Sequence, residues 1–122
     1  MRGFDNAVIA RLRPHVTALP RYTQVNVNTA SAEVVAALVE GMDLDAARVL
    51  VAQRHKIYFQ NAFDFSSRVP SGLRVHTEDI TVSSDFFIAT LRVTIGETQA
   101  RGTALLQREN TGWPAIVWRK YL

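Results

Sequence analysis

The stretch Tyr22-Thr23-Gln24-Val25-Asn26-Val27-Asn28-Thr29-Ala30-Ser31 restricts the folds open to this chain more than any other. Val25 and Val27 alternate with Asn26 and Asn28, so the segment approaches as extended chain and then turns into a helix. Asn28, Thr29 and Ser31 are all suitable N-cap residues, and Glu33 places negative charge in the first turn. A helix is predicted over Ala30 to Val39, with Val34, Val35, Leu38 and Val39 on one face. Gly41 then makes a tight turn. A second helix is predicted from near Asp43 to about Arg54, with Ala46, Ala47, Leu50 and Val51 as its apolar face. The product is a helical hairpin. Short amides before a helix ordinarily cap and tie the turn, which accounts for Asn26 and Asn28 without catalysis.

With 122 residues, 48% of them apolar and 20% charged, the chain has the composition of a globular protein. The formal net charge of +3 is scattered, and lysine occurs only at Lys56 and Lys120. A nucleic-acid surface is normally more concentrated. The absence of cysteine excludes disulfides, thiolate catalysis and cysteine-based zinc sites. No apolar run reaches membrane-spanning length, and no signal peptide opens the sequence. Met1-Arg2-Gly3 reads as an arbitrary start to part of a longer protein.

Ahead of the hairpin, Phe4 to Arg13 is predicted as a short helix capped by Asp5. Phe4 and Ile9 are spaced as a hydrophobic staple, Val8 and Leu12 continue the stripe, and Pro14 ends it. After the hairpin, His55 to Gln60 is a loop. Asn61 caps a third short helix, Ala62 to Val69, with Phe63 and Phe65 assigned to the core. Pro70, Ser71 and Gly72 break it. Residues with β-propensity dominate from Leu73. Ile80-Thr81-Val82 is a short strand. Phe86 to Ile95 is the clearest one, with Phe87, Ala89, Leu91, Val93 and Ile95 on one face. Gly96-Glu97 fits a two-residue type II′ turn. Thr98 to Arg108 returns, so that Leu91 faces Gly102 and Arg92 faces Arg101 on the wetter side. Ala115 to Tyr121 is the last strand. Helices first and an antiparallel meander second make an α+β pattern.

Catalytic chemistry is not legible. His15, His55 and His76 lie in predicted loops without metal-ligand spacing. The acidic residues Asp43, Asp45, Asp64, Glu78, Asp79 and Asp85 are dispersed and form no calcium loop. Asp43-Leu44-Asp45 reads as a helix cap with dipole charge. No P-loop, dinucleotide fingerprint or nucleophile elbow occurs.

Two resemblances attach to these residues. The hairpin resembles the helix-hairpin-helix DNA-binding module, which opens on an Asn-Thr-Ala-Ser segment, closes its second helix with an arginine and holds a phosphate on two turn glycines. The matching residues are Val39-Glu40-Gly41-Met42-Asp43. Gly41 keeps the turn. Asp43 replaces the second glycine, and Glu40 replaces the family's proline. Their two carboxylates flank the phosphate position and oppose binding. A DNA-binding helix-hairpin-helix protein is therefore the alternative reading.

The other resemblance covers nearly the whole chain. Leu12 to Pro20, the run Val25-Asn26-Val27-Asn28-Thr29-Ala30-Ser31, Arg54, Phe63-Asp64-Phe65, Ser83 to Phe87, Leu105 to Arg108 and Val117-Trp118-Arg119 resemble, in order, segments of the K-type minor pseudopilins of type II secretion systems, the GspK family. The resemblance implies an α+β chain in which residues 1–72 are part of a helical SAM-like, helix-hairpin-helix-like domain. Residues 73–122 are then the small antiparallel sheet of a pilin-like domain. It implies a non-catalytic structural component of the pseudopilus tip, on the periplasmic side of the bacterial inner membrane. Such a component supports pseudopilus assembly and protein export. Its partners are other minor pseudopilins and not nucleic acid, and its membrane anchor is an N-terminal helix missing from this sequence. Calcium is admitted by the resemblance, with no ligands mapped here. Val25 to Ser31, Gly41 and Arg54 are its structural motif, and no partner-contact residue is assigned. A sheet without its helix is expected to dimerise.

Overall fold

The computed structural model describes residues 3–110 and 112–122, and the chain divides into two compact units, one ending at Ser83 and the other running from Ser84 to Leu122. In the first unit, α1 spans Asn6–Leu12, with the Asp5 carboxylate accepting from the Val8 amide at 2.9 Å. The apolar residues of the expected stripe are not buried. Phe4, Ile9 and Leu12 are exposed and line a shallow hollow with Val16.

The strand β1 (Val25–Asn26) leads into α2 (Ala32–Leu38). This helix is shorter than Ala30 to Val39 for a local reason at each end. The Asn26 carbonyl accepts from the amides of Thr29 and Ala30, so those residues form a turn, and the Ser31 hydroxyl is the cap, accepting from Val34. Val39 leaves the helix to join β2 (Val39–Glu40). Gly41 follows with φ +85°, a backbone that favours glycine, and a Cβ there would lie 3.3 Å from Leu73. Then α3 (Leu44–Arg54) begins on Asp43, whose carboxylate accepts from Ala46 at 2.7 Å. The last helix, α4 (Ala62–Arg68), begins on Asn61, which accepts from Asp64.

The core of this unit gathers Val27, Val35, Val39, Ala47, Leu50, Phe59, Phe65, Val69 and Ile80. Phe59 and Phe65 meet edge to face at 5.1 Å. One assignment from the sequence is corrected. Phe63 is 80% exposed. Phe65 and Val69, one helical turn apart, face inward, and Phe63 stands on the opposite side of α4. Phe59 lies in the expected loop and its ring is fully buried.

The boundary expected at residues 72 and 73 lies later. β3 (Arg74–Val75) pairs antiparallel with β2, and β4 (Ile80–Thr81) pairs parallel with β1, so residues 73–83 belong to the first unit. A 3₁₀ turn, Thr77–Asp79, separates these two strands. The Tyr22 hydroxyl donates to the Asp79 carboxylate at 2.7 Å, and that bond pushes the phenol above its ordinary value.

The second unit is a three-stranded antiparallel sheet in the order β5 (Phe86–Ile95), β6 (Thr98–Gln107), β7 (Ala115–Tyr121). The hairpin register is the expected one, with Ile95 opposite Thr98, Leu91 opposite Gly102 and Phe87 opposite Leu106. Gly96 has φ +58° and Glu97 does not have positive φ, which fits type II′ and excludes type I′. A register shift between Leu105 and Leu106 marks a bulge against β7. The most buried sheet residue is Leu105, 2% exposed, in register with Ile88 and Trp118. It lies on the face that Arg92 and Arg101 had marked as wetter. Phe87, Leu91, Val93 and Ile95 on the other face are exposed.

Candidate functional site

Asn26, Asn28 and Arg54, singled out in the sequence, converge on one polar node. The Asn26 side-chain carbonyl accepts from the Asn28 amide at 3.0 Å, an Asx turn that bends the chain toward α2. Asn28 then reaches across to Phe59. Its Oδ1 accepts from the Phe59 N–H at 2.8 Å and its Nδ2 donates to the Phe59 carbonyl at 2.9 Å. The half-buried amide imitates a neighbouring strand and satisfies both backbone groups of a residue whose ring is in the core.

Arg54, at the C-terminal end of α3, closes the node. Its Nη1 donates to the carbonyls of Val27 at 2.7 Å and Ala30 at 2.6 Å. Burial lowers the Arg54 guanidinium from its ordinary value, but an arginine remains charged. Asn26, Val27, Asn28, Ala30 and Arg54 thus meet in one node, while Val25 pairs with Ile80 in the sheet. Ser31 caps α2, Gly41 shapes the turn, and Thr29 contributes a hydroxyl 3.4 Å from the Asn26 carbonyl.

A second clamp holds the loop between α3 and α4. Asp64 accepts from the Gln60 amide at 2.9 Å and pairs with Arg68 through two bonds of 3.0 and 2.7 Å. The Gln60 amide, then Arg68, hold the Asp64 carboxyl below its ordinary value. Arg68 also donates to the Ile57 carbonyl and lies 5.0 Å over the Phe59 ring. The i,i+4 spacing of Asp64 and Arg68 was visible in the sequence. The Asn28–Phe59 tie, across 31 residues, carried no local signal.

At the hairpin tip, the Asp43 carboxylate already occupies the amide end of α3. The exposed Glu40 carboxylate lies 3.8 Å from His76, and Glu78 lies 3.3 Å from the same ring. His15 approaches the Ser31 hydroxyl at 3.4 Å. Among the described residues, no group of three or more histidine, cysteine or acidic side chains is placed to hold a metal ion. The calcium admitted by resemblance finds no such set there. The bonds that close the node are made by amides, carbonyls and one guanidinium.

The family model described as type II secretion system (T2SS), protein K, matches residues 25–83. That span begins at β1 and ends at the boundary of the first unit. A type II secretion system protein K from Pseudomonas aeruginosa is 33% identical over 103 residues, covering 84% of this chain. The chain belongs to the type II secretion system protein K family. It spans 31% of the length of that curated relative. Within the protein K segment fall the whole Asn28–Phe59–Arg54 node, the hairpin turn and the Asp64–Arg68 clamp. Among the described residues, no helix of this family member is long and apolar enough to cross a membrane.

Proposed function

We propose that this chain is a non-catalytic part of a minor pseudopilin, acting at the pseudopilus tip of a type II secretion system and supporting pseudopilus assembly and protein export. The observation that supports the reading is that the protein K segment, 25–83, contains the buried core of the first unit and its structural ties. On this reading the first unit is SAM-like and the sheet is the antiparallel part of a pilin-like domain. Val25 to Ser31, Gly41 and Arg54 are the structural motif. The protein works on the periplasmic side of the bacterial inner membrane, beside other minor pseudopilins.

The open apolar face of β5, with Phe87, Leu91, Val93 and Ile95 exposed, favours association over a solitary existence. In isolation the chain is expected to self-associate with rising concentration. The test of the main reading is binding. The purified chain, immobilised, is exposed to the purified periplasmic parts of the other minor pseudopilins from the same system. Saturable binding supports the proposal, and no binding to any of them counts against it. No observation favours the helix-hairpin-helix DNA-binding alternative.

A further inference from the structure

The chain approaches the core of the first unit through residues 22–27 and leaves it through residues 78–83, and these two passages are bonded side by side. The Tyr22 hydroxyl donates to the Asp79 carboxylate at 2.7 Å, and the Gln24 side-chain amide donates to the Glu78 carbonyl at 2.9 Å. Val25 stands opposite Ile80 and Asn26 opposite Thr81, and the Val27 amide donates to the Thr81 carbonyl at 3.0 Å. The pairing is parallel. Parallel neighbours need a long connection, so α2, α3 and α4 all hang as one closed loop from this tie. Behind it, Val27 and Ile80 are buried in the core, and Arg54 of α3 holds the Val27 carbonyl.

Parallel pairing fixes how a pull on the flanking chain is met. Tension on residues before Tyr22 draws β1 toward its N-terminal end. Tension on residues after Ser83 draws β4 toward its C-terminal end. In parallel strands these directions oppose each other along one axis, so the bonds between them are loaded together in shear. The antiparallel pair β5–β6, pulled at its open end, is by contrast loaded one bond at a time. We infer that residues 22–27 and 78–83 form a mechanical clamp, which carries tension past the first unit and leaves its helices and core closed. Every bond in the clamp is made by residues of the first unit, and nothing in this geometry depends on the function proposed above.

The sequence contains no cysteine, so two introduced thiols are unique attachment points for handles. Single-molecule pulling at constant force compares two variants of the full 122-residue chain. Ala18→Cys/Ser83→Cys loads the clamp in shear. Ala18→Cys/Thr77→Cys pulls β1 and β4 apart from their N-terminal ends and peels the clamp open. All three positions are exposed. At the same force the shear pair is expected to open at least about tenfold more slowly, the equivalent of one further hydrogen bond broken at the barrier. Adding Tyr22→Phe/Gln24→Leu to the shear pair is expected to speed its opening about fivefold. Equal opening rates in the two geometries would overturn the clamp. So would a shear rate that Tyr22→Phe/Gln24→Leu leaves unaltered. A cysteine pair whose chain melts early is replaced by Thr17→Cys with Ser83→Cys or with Glu78→Cys, for which the same outcomes apply.

Discussion

Asn28 holds Phe59 by both of its backbone groups, at 2.8 and 2.9 Å, across 31 residues of sequence. That relationship joins the start of the hairpin to the loop after it, and it explains why an asparagine is needed. Only a primary amide offers an acceptor and a donor side by side. Asn28→Ala should cost about 2–4 kcal/mol, since a half-buried N–H and C=O each lose their partner. Asn28→Asp should also destabilise, because it keeps the acceptor but turns a carboxylate toward the Phe59 carbonyl. Chemical denaturation of the purified variants measures both.

Arg54 is the matching device at the end of α3. Removing it strands the carbonyls of Val27 and Ala30. Arg54→Met, which keeps the aliphatic stem, should cost about 2–3 kcal/mol. Arg54→Lys should recover part of this, since an ammonium carries the charge without the planar fork. Because Asn28 and Arg54 hold adjacent parts of one node, their losses should not add. A double-mutant cycle by denaturation reads the coupling.

Much of this architecture was legible because its determinants are local. Asp5, Ser31, Asp43 and Asn61 each cap the helix that follows through an oxygen only three residues from its partner amide. The β5–β6 register follows from Gly96 and period-two alternation. What escaped was set by the tertiary structure. The strands β1 to β4 are two residues each and exist only because distant segments meet, Val25 with Ile80 and Val39 with Val75. Those pairings move the unit boundary to Ser83. Phe63 is displaced from the core for a related reason: Phe65 takes the buried side of α4 and meets Phe59, whose backbone Asn28 holds. In the site, the asparagines were recognisable as turn residues, but the identity of their partner was not.

Acid should loosen the α3–α4 loop. The Asp64 carboxyl is held below its ordinary value of 3.8 by the Gln60 amide first and Arg68 next. Its folded value therefore lies below its unfolded one. The stability it contributes is fully present above about pH 4 and is lost as pH falls through the folded value. Asp64→Asn should lower stability at neutral pH and flatten the acid limb of a denaturation-against-pH curve. An unchanged acid limb would show that Asp64 is not the group responsible.

DNA binding should be no better than ordinary non-specific association, weaker than about 100 μM at physiological salt. Asp43 caps α3 at the position a phosphate would need, and the exposed Glu40 carboxylate lies three residues before it in the sequence. A mobility-shift titration at low and moderate salt checks this. Asp43→Gly should strengthen whatever residual binding exists, at a cost of a few tenths of a kcal/mol in the cap. Micromolar, salt-sensitive binding by the unaltered chain would restore the nucleic-acid reading.

The central claim, that this sequence serves protein export through assembly and not through chemistry, is tested most directly by secretion itself. The measurement is the fraction of type II substrates released into the medium by a strain lacking the full-length protein that carries this sequence. It is made before and after the wild type is restored. The account predicts that loss traps the substrates in the periplasm and that the wild type restores their release. Release that continues undiminished without the protein would contradict the account.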